Sequence, residues 1–139
     1  MERNQVVSGV ACNQDEVKIS LVGVPDKPGV ASKIFTILAE NSINVDMIIQ
    51  NLDYEELNDI TFTIDGDDLS QTKEVLRKLK EDLNYNKLLY DIQVAKVSIV
   101  GAGMVTNPGV AAKMFEALGE AEINIDMIST SEIKVSCLI

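Results

Sequence analysis

The sequence predicts an α+β fold in which one arrangement of strands and helices occurs twice. Pro108–Ile128 repeats Pro28–Ile48 with 13 identities in 21 positions, at a constant offset of 80 residues. Lys96–Gly101 likewise repeats Lys18–Gly23. In both copies an apolar strand is followed by a loop that contains Pro and Gly, and then by an amphipathic helix. Self-similarity over this length indicates an internal duplication.

The first copy contains its elements in the order βαββαβ, which is the ferredoxin-like arrangement. Strands are predicted where apolar residues alternate or where Val, Ile and Met are concentrated. Helices are predicted where apolar residues recur three and four positions apart. An acidic turn, Asp53–Asn58, separates the second strand from the third. The predicted strands are Val17–Gly23, Ile43–Leu52, Asp59–Ile64 and Lys87–Asp91, and the predicted helices are Gly29–Glu40 and Leu69–Leu83.

The second copy is predicted to be truncated at its C-terminus. Its third strand is expected at Glu132–Ile139, where the sequence stops, so the second helix and last strand are missing. Gln5–Ala11, a short predicted strand before the polar turn Cys12–Glu16, could complete this copy. The alternative is a C-terminal helix that belongs to the natural protein. We expect a first domain at residues 17–91 and a second domain formed by residues 5–11 and 95–139, whose open strand edges favour a homodimer.

The composition excludes several classes of function. The net charge of -10 and the pI of about 4.3 make nucleic acid and anionic membranes poor partners. No apolar run reaches the roughly 18 residues of a spanning helix, and no signal-peptide pattern precedes the first strand, so a cytoplasmic location is expected. The sequence contains no His, and Cys12 and Cys137 are expected to be inert core thiols. We therefore expect no catalytic group, cofactor or metal site in this chain.

The most informative segments are the two loops Val24–Val30 and Ala102–Val110. Pro28 and Pro108 are predicted at the first helical position, where a missing N–H costs nothing. The glycine after each proline leaves the backbone open to a close approach. Because a helix start offers unpaired N–H groups and the positive end of the helix dipole, a carboxylate is the expected guest.

In the first loop, the amides of Gly29, Val30 and Ala31 could hold the α-carboxylate of an amino acid. Asp26 lies beside them and could bind the α-ammonium by a charge-assisted hydrogen bond. The alternative role of Asp26 is to cap the helix. This loop therefore predicts an amino-acid site.

Four segments carry a resemblance to a known family, namely Val22–Val30, Ile43–Asn51, Val100–Met104 and Ile128–Ile133. Together they resemble the regulatory half of aspartokinase, which carries two ACT domains. The resemblance covers nearly the whole chain. It implies that end-product amino acids bind the ACT pair and inhibit a kinase domain, absent here, that phosphorylates aspartate with ATP. In the α2β2 form of the family the β subunit is the ACT pair alone, and Met1 resembles its start.

The resemblance implies a threonine site in which Asp26 and Gln50 contact the ligand and Ala31 lines the pocket. It also implies that Asn124 and Ile125 close over the ligand, in trans across a dimer. The alternative for Gln50 is an exposed strand residue, and Asn is also a common turn residue. The complete expected first effector site is Asp26, Gly29, Val30, Ala31, Asn44, Gln50, Asn124 and Ile125.

A second effector site is expected at the other loop, in a region that resembles the lysine site of enzymes inhibited jointly by lysine and threonine. Glu132 would suit an ε-ammonium group and Ser131 could orient it. The alternative for Ser129–Glu132 is a polar turn between two strands. The expected residues are Met104, Thr106, Asn107, Gly109, Val110, Ser131 and Glu132.

The resulting hypothesis is a regulatory module that mediates feedback inhibition by threonine, lysine or both. Its expected partners are these effectors, a second copy of the chain, and an aspartokinase catalytic domain or α subunit. The alternative hypothesis is an ACT pair that serves only as a dimerisation or assembly module with no effector bound.

Overall fold

The computed structural model describes residues 7–52, 57–102 and 109–139. The chain divides into two compact units. The central unit is Asp15–Gln93, and the terminal unit combines the described residues up to Gln14 with Val94–Ile139. Two long strands, β1 (Val7–Pro25) and β4 (Lys87–Gly101), contribute residues to both units.

The central unit has the strand order β2-β3-β1-β4. β3 pairs antiparallel with β1 on one side and with β2 on the other. A short 3-10 helix, Gly66–Asp68, leads into α2, and the side chain of Asp65 accepts a hydrogen bond from the Asp67 N–H at 3.0 Å. The further elements are α1 (Val30–Glu40), β2 (Val45–Leu52), β3 (Leu57–Asp65), α2 (Leu69–Lys78) and α3 (Lys80–Leu83).

The core of the central unit lies between the sheet and its helices. Alternate residues of β1 and β3 point into it, as expected for strands with one buried face. Phe62 contributes an edge-to-face contact with Phe35 of α1, with the ring centroids 5.6 Å apart. The fully buried apolar side chains among the described residues of this unit are Ile19, Leu21, Val24, Ile34, Leu38, Ile60, Phe62, Ile64 and Leu76.

The terminal unit has the strand order β1-β4-β6-β5, with α4 packed against it. Its elements are α4 (Gly109–Glu120), β5 (Met127–Thr130) and β6 (Lys134–Leu138), and β6 pairs antiparallel with both β4 and β5. The Ser8 hydroxyl donates to the Val100 carbonyl at 3.2 Å. Ile99, Met114, Val135 and Cys137 form the buried core of this unit.

The predicted turn at Cys12–Glu16 is wrong, because β1 continues through it as one strand. Polar residues favour turns as isolated segments, but pairing within a sheet overrides that preference. Cys12 is exposed, so the expectation of a core thiol is wrong there, whereas Cys137 is fully buried as predicted. Burial raises the pKa of the Cys137 thiol, which keeps it protonated and unreactive near neutral pH.

Several predicted bounds differ from the structure. The helix predicted at Leu69–Leu83 is interrupted at Leu79, which ends α2 and precedes α3. The strand predicted at Lys87–Asp91 is the first third of a strand that continues to Gly101. The bounds of the remaining elements shift by one or two residues, with β2 beginning at Val45, β3 at Leu57 and β6 at Lys134.

Candidate functional site

The first loop begins with a kink at the end of β1. The pairing register between β1 and β3 shifts between Leu21 and Val24, and Gly23 lies at this shift with a φ of 72°. The Gly23 N–H donates to Asp59 Oδ1 at 3.1 Å. A Cβ at Gly23 would collide with the side chain of Asn86. The sequence therefore needs glycine here both for the backbone conformation and for space.

The start of α1 differs from the prediction. The helix begins at Val30, and Gly29 is the N-cap residue in the left-handed conformation, with φ 88° and ψ -9°. Pro28 therefore precedes the helix, and its predicted position as first helical residue is wrong. The Val30 N–H already donates to the Lys27 carbonyl at 3.4 Å, so it is partly used within the turn. Gly29 is exposed, and apart from its own atoms and those of its two chain neighbours no described atom lies within 4 Å of where its Cβ would be.

Asp26 lies exposed in this loop and does not cap the helix. The N-cap residue of α1 is Gly29, which has no side chain, and the side-chain hydrogen bond of Asp26 goes to Asn58 instead, so the alternative role of Asp26 as a cap is wrong. Asp26 Oδ1 instead accepts a hydrogen bond from the Asn58 side-chain amide at 3.0 Å. A residue of β3 therefore holds this carboxylate, in the loop that also contains the exposed Gly29.

The strand register brings Gln50 toward the same end of the sheet. Asn58 pairs with Val24 of β1 on one side and with Leu52 of β2 on the other. Gln50 pairs with Ile60, so it shares the face of the sheet that carries Ile60 and Asn58. β1 and β2 are separated by one strand, which corresponds to about 10 Å between their backbones. Gln50 is exposed, as its alternative interpretation also requires.

The remaining residues of the first predicted site are divided between the two units. Asn44 is exposed and lies just before β2 in the central unit. Asn124 and Ile125 belong to the terminal unit, in the segment that leads to β5. Asn124 is exposed there, whereas Ile125 is half-buried and packs against the core that contains Met114.

Only part of the second predicted site can be described. Met104, Thr106 and Asn107 lie outside the described residues. Gly109 is the exposed first residue of α4, and Val110 is half-buried against the core of the terminal unit.

Ser131 and Glu132 form the turn between β5 and β6. The Ser131 hydroxyl accepts a hydrogen bond from the Lys134 N–H at 3.1 Å, and the Ser131 N–H donates to the Lys134 carbonyl at 2.7 Å. Glu132 is exposed at the tip of this turn. The polar-turn alternative for Ser129–Glu132 therefore agrees with the structure in this half of the segment. Because the Ser131 hydroxyl closes the turn, it is less suited to orienting a ligand than predicted.

Sequence reasoning missed Asn58 and Asp59, two β3 residues whose side chains form hydrogen bonds with Asp26 and Gly23. The sequence placed Asn58 in an acidic turn, whereas the structure places it in β3 with 4% of its surface exposed. Its position two residues before Ile60 continues the buried alternation of the strand, and that spacing is the signal that could have found it. A polar residue in a buried register position indicates a specific hydrogen-bond partner.

A second group of polar residues lies where the middle of β1 pairs with the end of β3. Within the described ranges, Asp15, Asp65 and Asp67 have carboxylate oxygens within 4.8 Å of one another, and all three side chains are exposed. The charge of Asp65 is the main cause that raises the pKa of Asp15, with burial a smaller cause. Oxygen donors of this kind suit hard cations, but exposed acidic groups also gather without one.

Comparison with known families identifies the class of protein. A family model described as an ACT domain matches residues 19–81, and a second model with the same description matches residues 97–139. The protein is therefore built from two ACT domains, which confirms the predicted α+β, ferredoxin-like fold class.

Individual relatives identify the family more closely. The aspartokinase of Corynebacterium glutamicum is 48% identical over 136 residues, which are 96% of this chain and 32% of the relative. The ligand-free regulatory subunit of aspartate kinase from Thermus thermophilus aligns with a TM-score of 0.91 and 40% identity, covering 97% of this chain and 89% of that one. A structure of aspartokinase alpha and beta subunits aligns with a TM-score of 0.88 and 47% identity, covering 96% of this chain and 87% of that one.

The chain belongs to the aspartokinase family, as a regulatory module of two ACT domains, and this confirms the predicted resemblance. It spans about a third of the length of the curated relatives that it matches. None of its described helices is long and apolar enough to cross a membrane.

Proposed function

We propose that this module binds threonine, lysine or both, and that binding inhibits an aspartokinase catalytic domain or α subunit in the cytoplasm. The observation that carries the proposal is the exposed Asp26 carboxylate, which Asn58 of β3 holds by a hydrogen bond. The same loop contains Gly29, whose backbone is exposed at the start of α1. A carboxylate and a helix start complement the α-ammonium and α-carboxylate of an amino acid.

The proposed threonine site uses Asp26 for the ammonium group and the backbone at Gly29 and Ala31 for the carboxylate. Val30 lies at this site but is less available to bind the carboxylate, because its N–H already donates to the Lys27 carbonyl. Gln50 supplies a side-chain amide that can both donate and accept. We propose Asn44 as a further residue of this site, and Asn124 and Ile125 as residues contributed by a second copy of the chain.

The proposed second site prefers lysine. Glu132 is an exposed carboxylate at the tip of the β5–β6 turn, which suits an ε-ammonium group. Gly109 and Val110 at the start of α4 would hold the α-carboxylate, by analogy with the first loop. Met104, Thr106 and Asn107 complete the proposal, which for them rests on the sequence alone.

Inhibition follows from binding if the ligand prefers one arrangement of paired ACT domains. A ligand shifts an equilibrium only by its differential affinity for the two states. Effectors of a biosynthetic pathway accumulate to high concentration, so weak binding suffices. A dissociation constant of about 1 mM corresponds to about -4 kcal/mol.

Calorimetric titration tests this function. We expect threonine to bind the unmodified chain, and Asp26→Ala to weaken that binding by about tenfold or more, since a hydrogen bond to a charged group is lost. Lysine is titrated alone and in the presence of threonine, because stronger binding in its presence indicates two coupled sites. Asp91→Ala is the matched control, since Asp91 is also exposed and accepts one hydrogen bond, from the Gln93 N–H. A folded chain that binds neither amino acid contradicts the proposal.

The assembly module is the second candidate, and exposed apolar residues favour it. Ile48 of β2 and Ile128 of β5 are equivalent in the two repeats and are 53% and 44% exposed. Each lies on the last strand in the order of its own unit. A row of unpaired backbone groups next to exposed isoleucines is suited to pairing with a second copy. A dimer in analytical ultracentrifugation, with no binding of either amino acid, would favour this candidate.

A further inference from the structure

Asn58 is a polar residue in an apolar register. The residues that follow it on the same face of β3 are Ile60, Phe62 and Ile64, and all three are buried in the core of the central unit. Asn58 itself is 4% exposed. Burying an amide costs free energy unless the amide is hydrogen-bonded, so the hydrogen-bond partner of Asn58 indicates its role.

The partner is the carboxylate of Asp26. Asn58 Nδ2 donates to Asp26 Oδ1 at 3.0 Å, and the Asp26 side chain itself is exposed. A carboxylate has two oxygens and about four acceptor positions, so one amide donor leaves capacity for a cationic ligand group. The buried end of this pair is thus fixed by packing, and the exposed end is held toward solvent.

The neighbouring residue fixes the beginning of the same loop. Asp59 Oδ1 accepts from the Gly23 N–H at 3.1 Å, at the register shift between Leu21 and Val24. Asn58 and Asp59 therefore hold the loop at two points, one at its entry and one at Asp26. Fixing a binding group before the ligand arrives reduces the ordering cost of binding.

We infer that Asn58 is a positioning residue, which holds the Asp26 carboxylate in place for the ammonium group of an amino-acid ligand. This inference rests on the proposed function. Asn58 touches Asp26 and acts through it. Replacing Asn58 should weaken ligand binding even though its own side chain is buried.

The test titrates single and double variants with threonine up to millimolar concentrations. Binding is monitored by NMR. Asn58→Ala should weaken threonine binding by about tenfold, the effect of losing a hydrogen bond to a charged group. Asn58→Leu, which fills the buried space without an amide, serves if the alanine variant does not fold. Thr63→Val is the matched control, because Thr63 is a fully buried β3 residue whose hydroxyl accepts from the Met47 N–H, away from Asp26.

The double variant separates positioning from a general structural role. If Asn58 acts through Asp26, Asp26→Ala with Asn58→Ala should bind threonine no more weakly than Asp26→Ala alone. Losses that multiply, or binding by Asn58→Ala and Asn58→Leu equal to that of Thr63→Val, would overturn the inference while leaving the proposed function intact. Failure of the proposed function appears earlier and separately, as an unmodified chain that binds neither threonine nor lysine.

Discussion

Two threonines of the central unit, Thr63 and Thr72, are both fully buried, yet their hydroxyls have different surroundings. The Thr63 hydroxyl accepts a hydrogen bond from the Met47 N–H at 3.0 Å. Among the described residues, no atom forms a hydrogen bond with the Thr72 hydroxyl on α2. A buried hydroxyl without a partner costs free energy, and one with a partner offsets that cost.

The same substitution should therefore have opposite effects at the two positions. Thr72→Val keeps the shape and removes the unsatisfied group, so it should raise the free energy of unfolding by about 1 kcal/mol. Thr63→Val leaves the Met47 N–H without its acceptor and should lower the free energy of unfolding by about 1–2 kcal/mol. Urea denaturation followed by circular dichroism measures both, and each variant controls for the volume change in the other. Equal signs would contradict the argument.

For single residues, the sequence predicts the chemical role of a side chain better than it predicts which residues that side chain contacts. Asp26 could be selected because a carboxylate beside a Pro/Gly loop suits an ammonium group, but its bond to Asn58 depends on a register between distant strands. The role of Ser131 was likewise ambiguous, because a hydroxyl can serve a ligand or a turn equally well. In the structure this hydroxyl accepts a hydrogen bond from the Lys134 N–H, a contact between residues of the turn that the sequence does not reveal.

At the scale of elements, the loop between β1 and α1 depends on two glycines with positive φ. Gly23 has a φ of 72° and no room for a Cβ beside Asn86, whereas Gly29 has a φ of 88° in open space. A non-glycine residue in this conformation costs about 1 kcal/mol from backbone sterics alone. Replacing Gly29 by alanine thus tests the cost of the backbone conformation alone, and replacing Gly23 adds the cost of a collision with Asn86.

We expect Gly29→Ala to lower the free energy of unfolding by about 1 kcal/mol and Gly23→Ala by about 2 kcal/mol or more, because the second adds a clash with a side chain. Thermal and urea unfolding measure the difference. Gly9→Ala is the control, since Gly9 lies in β1 with a φ outside the left-handed region, and no described residue beyond its two chain neighbours has an atom within 4 Å of its Cβ position. A Gly23→Ala variant as stable as Gly9→Ala would show that the loop relaxes around the added methyl group.

The number and type of elements follow from periodicity, but their ends do not. The interruption at Leu79 is invisible in the pattern, because Leu76, Leu79 and Leu83 would share one face of a continuous helix and are also buried in the interrupted one. The extension of β1 through Cys12–Glu16 is equally hidden, since its polar residues are exposed except Glu16. Both features depend on tertiary packing, and the local propensity of a segment carries no information about that packing.

At the scale of the whole molecule, the duplication was the strongest prediction, and the two ACT domains confirm it. The repeats are similar in sequence but unequal in burial. Ile34 and its equivalent Met114 occupy the same position in α1 and α4, yet they are 0% and 9% exposed. The core of the central unit also contains more buried residues among those described than the core of the terminal unit. Sequence identity between repeats does not reveal this difference, because burial depends on how many elements cover each helix.

This inequality predicts that the two units differ in local stability. Ile34→Ala removes a fully buried side chain and should cost about 4 kcal/mol, whereas Met114→Ala should cost about 2 kcal/mol, near the lower end of the range for such changes. Hydrogen exchange read by mass spectrometry assigns each loss to its unit, since opening free energies differ along a structure. We expect Met114→Ala to raise exchange in Val94–Ile139 and to leave the peptides of Asp15–Gln93 nearly unchanged. Ile34→Val and Met114→Leu, which largely conserve volume, are the controls. If the two alanine variants lose equal stability, or if Met114→Ala raises exchange equally in both units, the terminal core is as tightly coupled to folding as the central one and the prediction is wrong.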